Sequence, residues 1–168
     1  MADQPLQIQG LFAAMAAQIA DEVPQFAYVS MWPDLSHHVD LPALLLDLGG
    51  FEPAQDPGTG EFAIDCQFEA YVVVASELDD HLLQAAVFST RVATLLRGNN
   101  WGMDKVGPAR FAQASQDWTR PELDGYTVWK IEWGQELRLG EENWPWPDGP
   151  TGQYRPPDPD DQLLELTP

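Results

Sequence analysis

A strict alternation of side chains between Phe62 and Ala75 leaves this chain few ways to fold. Apolar residues take every second position, and Asp65, Gln67 and Glu69 fall between them. The apolar set consists of Phe62, Ile64, Cys66, Phe68, Ala70, Val72 and Val74. A period of two directs these sets to opposite faces of a β-strand, one against a core and one toward water. The pattern therefore predicts a long strand that needs neighbouring strands and a covering layer.

Four further segments are predicted to be strands. Phe26–Met31 is short, and Leu41–Leu48 is an apolar run that ends at Gly49–Gly50. Gly125–Leu139 alternates apolar with polar side chains and is expected to pair with Ala109–Gln116. Strands that follow one another through turns favour an antiparallel sheet.

Two helices are predicted from apolar spacing of three and four residues. The first covers Leu6–Glu22 and ends at Pro24. The second covers Leu78–Arg97, with a capping box at Ser76–Asp79 and a C-terminal stop at Gly98. Its buried stripe is expected to consist of Leu82, Ala86, Val87, Ala93, Leu95 and Leu96.

The order of these elements predicts an α+β fold in two layers. A mainly antiparallel sheet of four to five strands is covered on one face by the two helices. A chain of 168 residues is long enough for one such domain, which we assign to residues 1–140. Residues 141–168 contain seven prolines and no periodicity, which predicts an extended, acidic, Pro-rich arm.

Charge and composition exclude several classes of protein. The 27 acidic residues against 8 basic ones give a formal net charge of −19, which disfavours sequence-independent binding to nucleic acid or an anionic membrane. No apolar run is long enough to span a bilayer, and Met1–Leu11 lacks the basic start of a secretory signal, so we expect a cytoplasmic protein. The single cysteine, Cys66, excludes an intrachain disulfide.

No arrangement of residues in the sequence predicts catalysis or a bound cofactor. Cys66 lies on the inward face of its strand, so we interpret it as a buried structural thiol. His37, His38 and Asp40 are interpreted as exposed loop residues, because no fourth metal ligand follows from their spacing. His81 is interpreted as a solvated polar residue. We therefore predict no enzyme, no metal site and no cofactor.

Two segments carry features that a plain domain does not need. Trp144–Pro145–Trp146–Pro147 places two large apolar side chains on a proline-rich segment, so it is expected to dock either on its own domain or on a neighbouring subunit. The turn-rich stretch Glu52–Glu61 is predicted to be a long hairpin loop that carries Glu52, Asp56 and Glu61 as its charges. A plain solvated hairpin is the alternative for this loop.

Three stretches of sequence resemble phage tail terminator (tail-completion) proteins. They are Leu41–Gly50, the Asp56–Glu61 loop that leads into Phe62–Val74, and Trp129–Gly140. The order of elements over Leu6–Gly140 is similar as well. The resemblance implies a structural virion protein, assembled in the host cytoplasm, whose homo-oligomeric ring, commonly a hexamer, ends growth of the tail tube and joins tail to head. Its implied partners are the tail tube protein, the head–tail connector proteins and genomic DNA that passes through without specific binding.

The resemblance also implies where contacts should lie. The carboxylates of Glu52, Asp56 and Glu61 would either repel DNA in the lumen or dock onto the tube, and the sequence does not choose between these roles. Subunit contacts are expected at apolar anchors and at the few cations. The candidate anchors are Trp101, Met103, Trp144, Pro145 and Trp146, and the candidate cations are Arg91, Arg97, Lys105 and Arg110.

A different class of protein explains the charge too. An acidic inhibitor that mimics DNA would present carboxylates at phosphate-like spacing to a basic nucleic-acid-binding protein. It would be a monomer or a dimer. The apolar arm and the mixed charge of Arg91–Gly140 argue against this alternative.

Overall fold

Two helices and five strands follow one another along the residues that the computed structural model describes, 5–32 and 39–142. Their order is α1 (Ile8–Glu22), β1 (Tyr28–Met31), β2 (Ala43–Pro53), β3 (Phe62–Ala75), α2 (His81–Leu96), β4 (Arg110–Gln116) and β5 (Tyr126–Leu139), with a short 3-10 turn at Pro121–Leu123 before β5. The predicted α+β class is therefore confirmed. His37, His38 and the Trp144–Pro145–Trp146–Pro147 segment lie outside the described residues.

The five strands form one sheet in the order β1-β2-β3-β5-β4. β3 has the bounds predicted from its alternation, and it lies between β2 and β5 with both pairs antiparallel. Its pairing with β5 is unbroken from Phe62 opposite Leu139 to Ala75 opposite Tyr126. β4 pairs with β5 and forms one edge of the sheet.

The other edge differs from the sequence-based expectation, because β1 runs parallel to β2. β1 ends at Met31 and β2 begins at Ala43, and because Tyr28 pairs with Ala43 both strands start at the same end of the sheet. A tight turn would have forced an antiparallel pair. β2 also continues to Pro53, because the predicted end at Gly49–Gly50 is a shift of register between Leu48 and Gly50 and not a turn.

The main core lies between the helices and one face of the sheet. On that face Phe68 of β3 packs edge-on against Phe12 of α1, with ring centroids 5.8 Å apart, and is stacked on Trp133 of β5 at 5.6 Å. Cys66 is fully buried in the same layer, as expected. Its burial, with the neighbouring charge of Asp65 as a smaller cause, raises the pKa of the thiol to about 11.

The beginning of α2 was predicted wrongly, and the face that it buries was predicted only in part, since Leu96 is buried and Leu95 packs against the core. The helix begins at His81, and the Ser76 hydroxyl donates to the carbonyl of Gly125 instead of capping the helix. The side chains of Leu82 and Val87 are exposed, whereas the buried ones are Ala85, Phe88, Ser89, Val92 and Leu96. Apolar residues occupy two sides of this helix, and the side with Phe88 is the one that packs against the core. Gly98 has φ +67°, as a C-terminal stop requires.

A smaller apolar cluster lies on the opposite face of the sheet, which neither α1 nor α2 covers. It consists of Ala43, Leu45, Tyr71, Val73, Leu123 and Val128, with Tyr28, Trp32, Val39 and Leu41 packed against it. Leu123, from the 3-10 turn, covers one end of the face. The rest of this face carries charged side chains and is called the open face below.

Candidate interaction surfaces

The hairpin loop between β2 and β3 ends in a buried ion pair. The Nζ atom of Lys105 lies 2.9 Å from Oε1 of Glu61, and the two side chains are only 8% and 2% exposed. The Thr59 hydroxyl donates to Oε2 of Glu61 at 2.9 Å, and the guanidinium of Arg138 lies 3.8 Å from the same oxygen. Both charges of the pair are therefore satisfied inside the subunit, and neither side chain is presented to a partner.

This pair connects three separate parts of the chain. Nζ of Lys105 also donates to the carbonyl of Gly140 at 3.2 Å, and the carbonyl of Lys105 accepts from the amide of Arg138 at 2.9 Å. The loop after α2 is thereby held to the hairpin and to the end of β5. The hydrogen bond from Lys105 lowers the pKa of Glu61 below its ordinary value, although burial opposes this change.

Glu52 and Asp56, the other two predicted loop carboxylates, are exposed. Asp56 accepts a hydrogen bond from the amide of Gly58 at 2.8 Å, and Gly58 has φ +73°, which suits a glycine in a tight turn. Glu52 is paired with Asp65 in the sheet. The three carboxylates that the sequence grouped together are thus separated by the fold into one buried and two exposed residues.

The predicted anchor Trp101 is a core residue. It is buried with φ +59°, and its indole N–H donates to Oε1 of Gln135 at 3.0 Å. Met103 is half-buried and packs against the same core. The sequence analysis missed Gln135, although an amide on the apolar face of β5, between Trp133 and Leu137, was a visible signal for a buried hydrogen-bonding role.

The remaining predicted cations lie on the surface. Arg91 is exposed on α2 and donates to the side-chain carbonyl of Gln25 at 3.0 Å, and Arg97 is exposed at the end of the same helix. Arg110 pairs with Asp65 at 2.5 Å on the open face, with both side chains accessible to water. The structure therefore brings none of the four predicted cations together into one basic patch.

Arg120 organises a polar cluster on the open face that the sequence did not indicate. Its guanidinium lies 4.7 Å from the ring of Trp32 and 4.8 Å from that of Tyr71, and it donates to the Tyr71 hydroxyl at 2.7 Å and to Asp47 at 3.2 Å. The Tyr71 hydroxyl in turn donates to Glu69. Burial, with the contact to Glu69, raises the pKa of Tyr71. Four distant segments supply this cluster, so no local pattern could reveal it.

The rest of the open face is a shallow groove of about 520 Å³. Its lining residues include Glu52, Asp65, Gln67, Glu69, Arg110, Gln113 and Glu132. Lys130 bridges two of these carboxylates, at 3.0 Å from Glu132 and 3.7 Å from Glu69. The groove therefore combines carboxylates with the cations that neutralise them.

Within residues 5–32 and 39–142 no group of three acidic, histidine or cysteine side chains is arranged to hold a metal ion. No helix in that part of the chain is long and apolar enough to cross a membrane. His81 differs from its predicted solvated state, because its Nδ1 lies 2.5 Å from the Thr127 hydroxyl.

Large apolar side chains are exposed at several places. Four belong to α2 and the turn before it, namely Leu78, Leu82, Leu83 and Val87. Others lie on the β2–β3 hairpin, on β4 and on the loop before β5, and they include Phe51, Phe62, Phe111 and Trp118. The sequence analysis had placed Leu82, Val87 and Phe62 on apolar faces that were expected to be buried, and it did not single out the others.

Comparison with known proteins gives similarity to solved structures alone. No family model matches the chain, and no curated protein matches it. Among solved structures, a chain from the virion of a native gene transfer agent particle is similar, with a TM-score of 0.51 and 15% sequence identity. The match covers 76% of this chain and 94% of that one. At this identity the comparison shows a shared fold, and it extends over nearly the whole of the particle protein.

Proposed function

We propose that this chain is a structural subunit of a phage-like particle and acts as its tail terminator. In this role the subunits form a ring at the top of the tail tube, end its growth and join tail to head. The observation that carries the proposal is the fold shared with 94% of a chain from a gene transfer agent virion. The similarity of Leu41–Gly50, Asp56–Glu61 and Trp129–Gly140 to tail terminator proteins supplies the more specific role.

The net charge of −19 suits a conduit through which DNA must pass without binding. Carboxylates along a lumen repel phosphates, whereas rows of Lys and Arg would hold the DNA by releasing counterions. Glu52 and Asp56 are the exposed loop carboxylates for this role or for docking onto the tube. Trp144, Pro145 and Trp146 are proposed to add a further contact, on the same domain or on a neighbour.

The open face favours this assignment over a DNA mimic. A mimic needs a row of unpaired carboxylates, but here Asp65 pairs with Arg110, and Glu69 and Glu132 pair with Lys130. Paired charges offer a basic partner little electrostatic gain. The exposed apolar side chains of α2 are also better explained by assembly than by a soluble inhibitor.

The test is to measure particle mass by light scattering over a range of protein and salt concentrations, with negative-stain images of the same samples. The measurement is made with the full chain alone and with purified tail tube protein. We expect rings in solution, or rings that cap the tubes and limit their length. A protein that stays monomeric in every sample and never caps a tube would contradict the proposal. Salt-sensitive binding to a basic DNA-binding protein in place of tubes would favour the mimic.

A further inference from the structure

We propose that copies of this chain associate head to tail, through two different apolar surfaces at opposite ends of β3. The helix patch consists of Leu78, Leu82, Leu83 and Val87, and the hairpin patch consists of Phe51 and Phe62. The inference rests on the proposed function, because it identifies the surfaces that would join neighbouring subunits of the ring.

The helix patch is an apolar surface that residues 5–32 and 39–142 leave uncovered. All four side chains are exposed, and Leu83, the most accessible, is 66% exposed. The opposite side of α2 already packs on the core through Phe88 and Val92, so no rotation of the helix could bury both sides. Large apolar side chains exposed together, in contrast to single scattered ones, are typical of interaction sites on soluble proteins.

The hairpin patch lies on one face of the β2–β3 hairpin. Phe51 pairs with Cys66, and Phe62 precedes Cys66 by four residues, so the period of two directs both rings to the same face. Phe62 is 57% exposed, and Phe51 is exposed as well. Aromatic rings accessible at the end of a sheet suit contact with a partner, since aromatic residues are enriched in interfaces.

The two patches are too far apart to cover each other within one subunit. β3 runs for 14 residues from Phe62 to Ala75, and Leu78 follows three residues later. At about 3.3 Å per residue the ends of this strand are roughly 40 Å apart. A two-fold dimer in which each patch meets its own copy would bury one patch and leave the other exposed, and an antiparallel two-fold dimer would bury both but could not extend into the ring of the proposed function. A head-to-tail contact buries both on every subunit, and it closes into a ring when the rotation permits.

Charge complementarity supports a second copy as the occupant. Leu83, Val87 and Arg91 follow one another at four-residue spacing, so the exposed Arg91 continues the ridge of the helix patch. The hairpin offers the opposite charge in the exposed Asp56 of its loop, and no Lys or Arg occurs between residues 43 and 75. Contact between unlike patches brings the cation to this carboxylate, whereas self-contact of either patch brings like charges together.

Three substitutions test the two surfaces. Leu83→Glu alters the helix patch, Phe62→Glu alters the hairpin patch, and Trp118→Glu is the matched control at a residue that is 81% exposed and outside both. Each change removes an exposed apolar side chain and adds one negative charge. We expect the first two to weaken assembly about tenfold or more, with Trp118→Glu like the wild type. Circular dichroism checks that all three remain folded.

Chemical cross-linking then tests the direction of the contact. Leu83→Cys and Phe62→Cys proteins are treated with a bifunctional maleimide, separately and mixed, and native Cys66 gives little background because it is buried. A head-to-tail contact predicts cross-linked dimers mainly in the mixture. Dimers formed mainly within either separate sample would overturn it in favour of a two-fold contact between like patches. Cross-links in the mixture from a wild type whose mass never exceeds that of a dimer would overturn it in favour of an antiparallel two-fold pair.

The outcomes separate this inference from the proposed function. Wild-type rings together with unaffected Leu83→Glu and Phe62→Glu variants would overturn the interface and leave the terminator role intact. A wild type that never assembles, alone or with tube protein, would overturn both. If rings form only on tubes, the same variants and cross-links are measured on the capped tubes.

Discussion

Replacing Lys105 with methionine removes the cation that Glu61 faces inside the subunit. Methionine keeps most of the length and apolar volume of the lysine side chain, so the change is mainly one of charge and hydrogen bonding. Glu61 keeps the hydrogen bond from Thr59, at 2.9 Å, and the more distant guanidinium of Arg138, at 3.8 Å. In this variant the carboxylate of Glu61 stays buried but has lost its nearest positive charge.

The expected loss in the free energy of unfolding follows from the contacts that Glu61 keeps. Breaking a buried pair by removing one partner costs about 3–5 kcal/mol, and the contacts that Glu61 retains place Lys105→Met at about 3 kcal/mol. The double variant Lys105→Met with Glu61→Gln removes the uncompensated charge and should recover about half of this loss. With a urea m-value of about 2 kcal/mol/M, the single change lowers the unfolding midpoint by about 1.5 M.

Urea unfolding followed by circular dichroism measures these values on the full chain. Arg97→Met, at an exposed position just after α2, is the matched control and should change the free energy of unfolding by less than about 0.5 kcal/mol. A loss below about 1 kcal/mol for Lys105→Met, or a double variant no more stable than the single one, would refute this account.

The pair of Lys105 and Glu61 also predicts how the free energy of unfolding changes with pH in the acidic range. Because the pKa of Glu61 is lower in the folded state than its ordinary value of 4.5, the pair stabilises the fold above that pH. The contribution is lost as the pH falls through the folded-state pKa, when the carboxyl group is protonated. Between pH 5 and pH 3 the wild type should therefore lose more stability than the Lys105→Met variant.

Two further predictions concern buried groups of the main core. Gln135→Leu removes an amide that accepts from the indole of Trp101 and donates to two backbone carbonyls, so it should cost about 3 kcal/mol or more in urea unfolding. Gln135→Glu keeps the shape and should be destabilising as well, because it buries a charge beside those carbonyls. The thiol of Cys66, with its pKa raised to about 11, should react with Ellman's reagent at pH 8 only after unfolding. Rapid labelling of the native protein would contradict its burial.

Local patterns were enough to predict most of the elements. The alternation in β3 gave its bounds and its inward face, because a period of two depends only on consecutive residues. Helix α1 and strands β4 and β5 were also predicted within a few residues. The capping box failed because the helix begins only at His81, and the Ser76 hydroxyl donates to the carbonyl of Gly125, which is distant in sequence.

The candidate site was harder to predict than the fold. The sequence grouped Glu61 with Glu52 and Asp56 because all three lie in one turn-rich stretch. In the structure Glu61 is buried in an ion pair with Lys105, which lies more than forty residues later. It chose Trp101 as an anchor because the ring is large, and Gln135 holds that ring in the core. The spacing of residues along the sequence cannot reveal a side-chain contact between segments that are distant in the chain.

The sequence by itself determined an α+β chain with one long amphipathic strand and an acidic surface, because periodicity and composition are local or summed properties. Only the tertiary structure decided which side of α2 is buried. Leu83 and Phe88 are both apolar, and the space beside Phe26, 5.1 Å from the Phe88 ring, admits only one side of the helix. The side that was left outside is the helix patch through which we propose that the subunits meet.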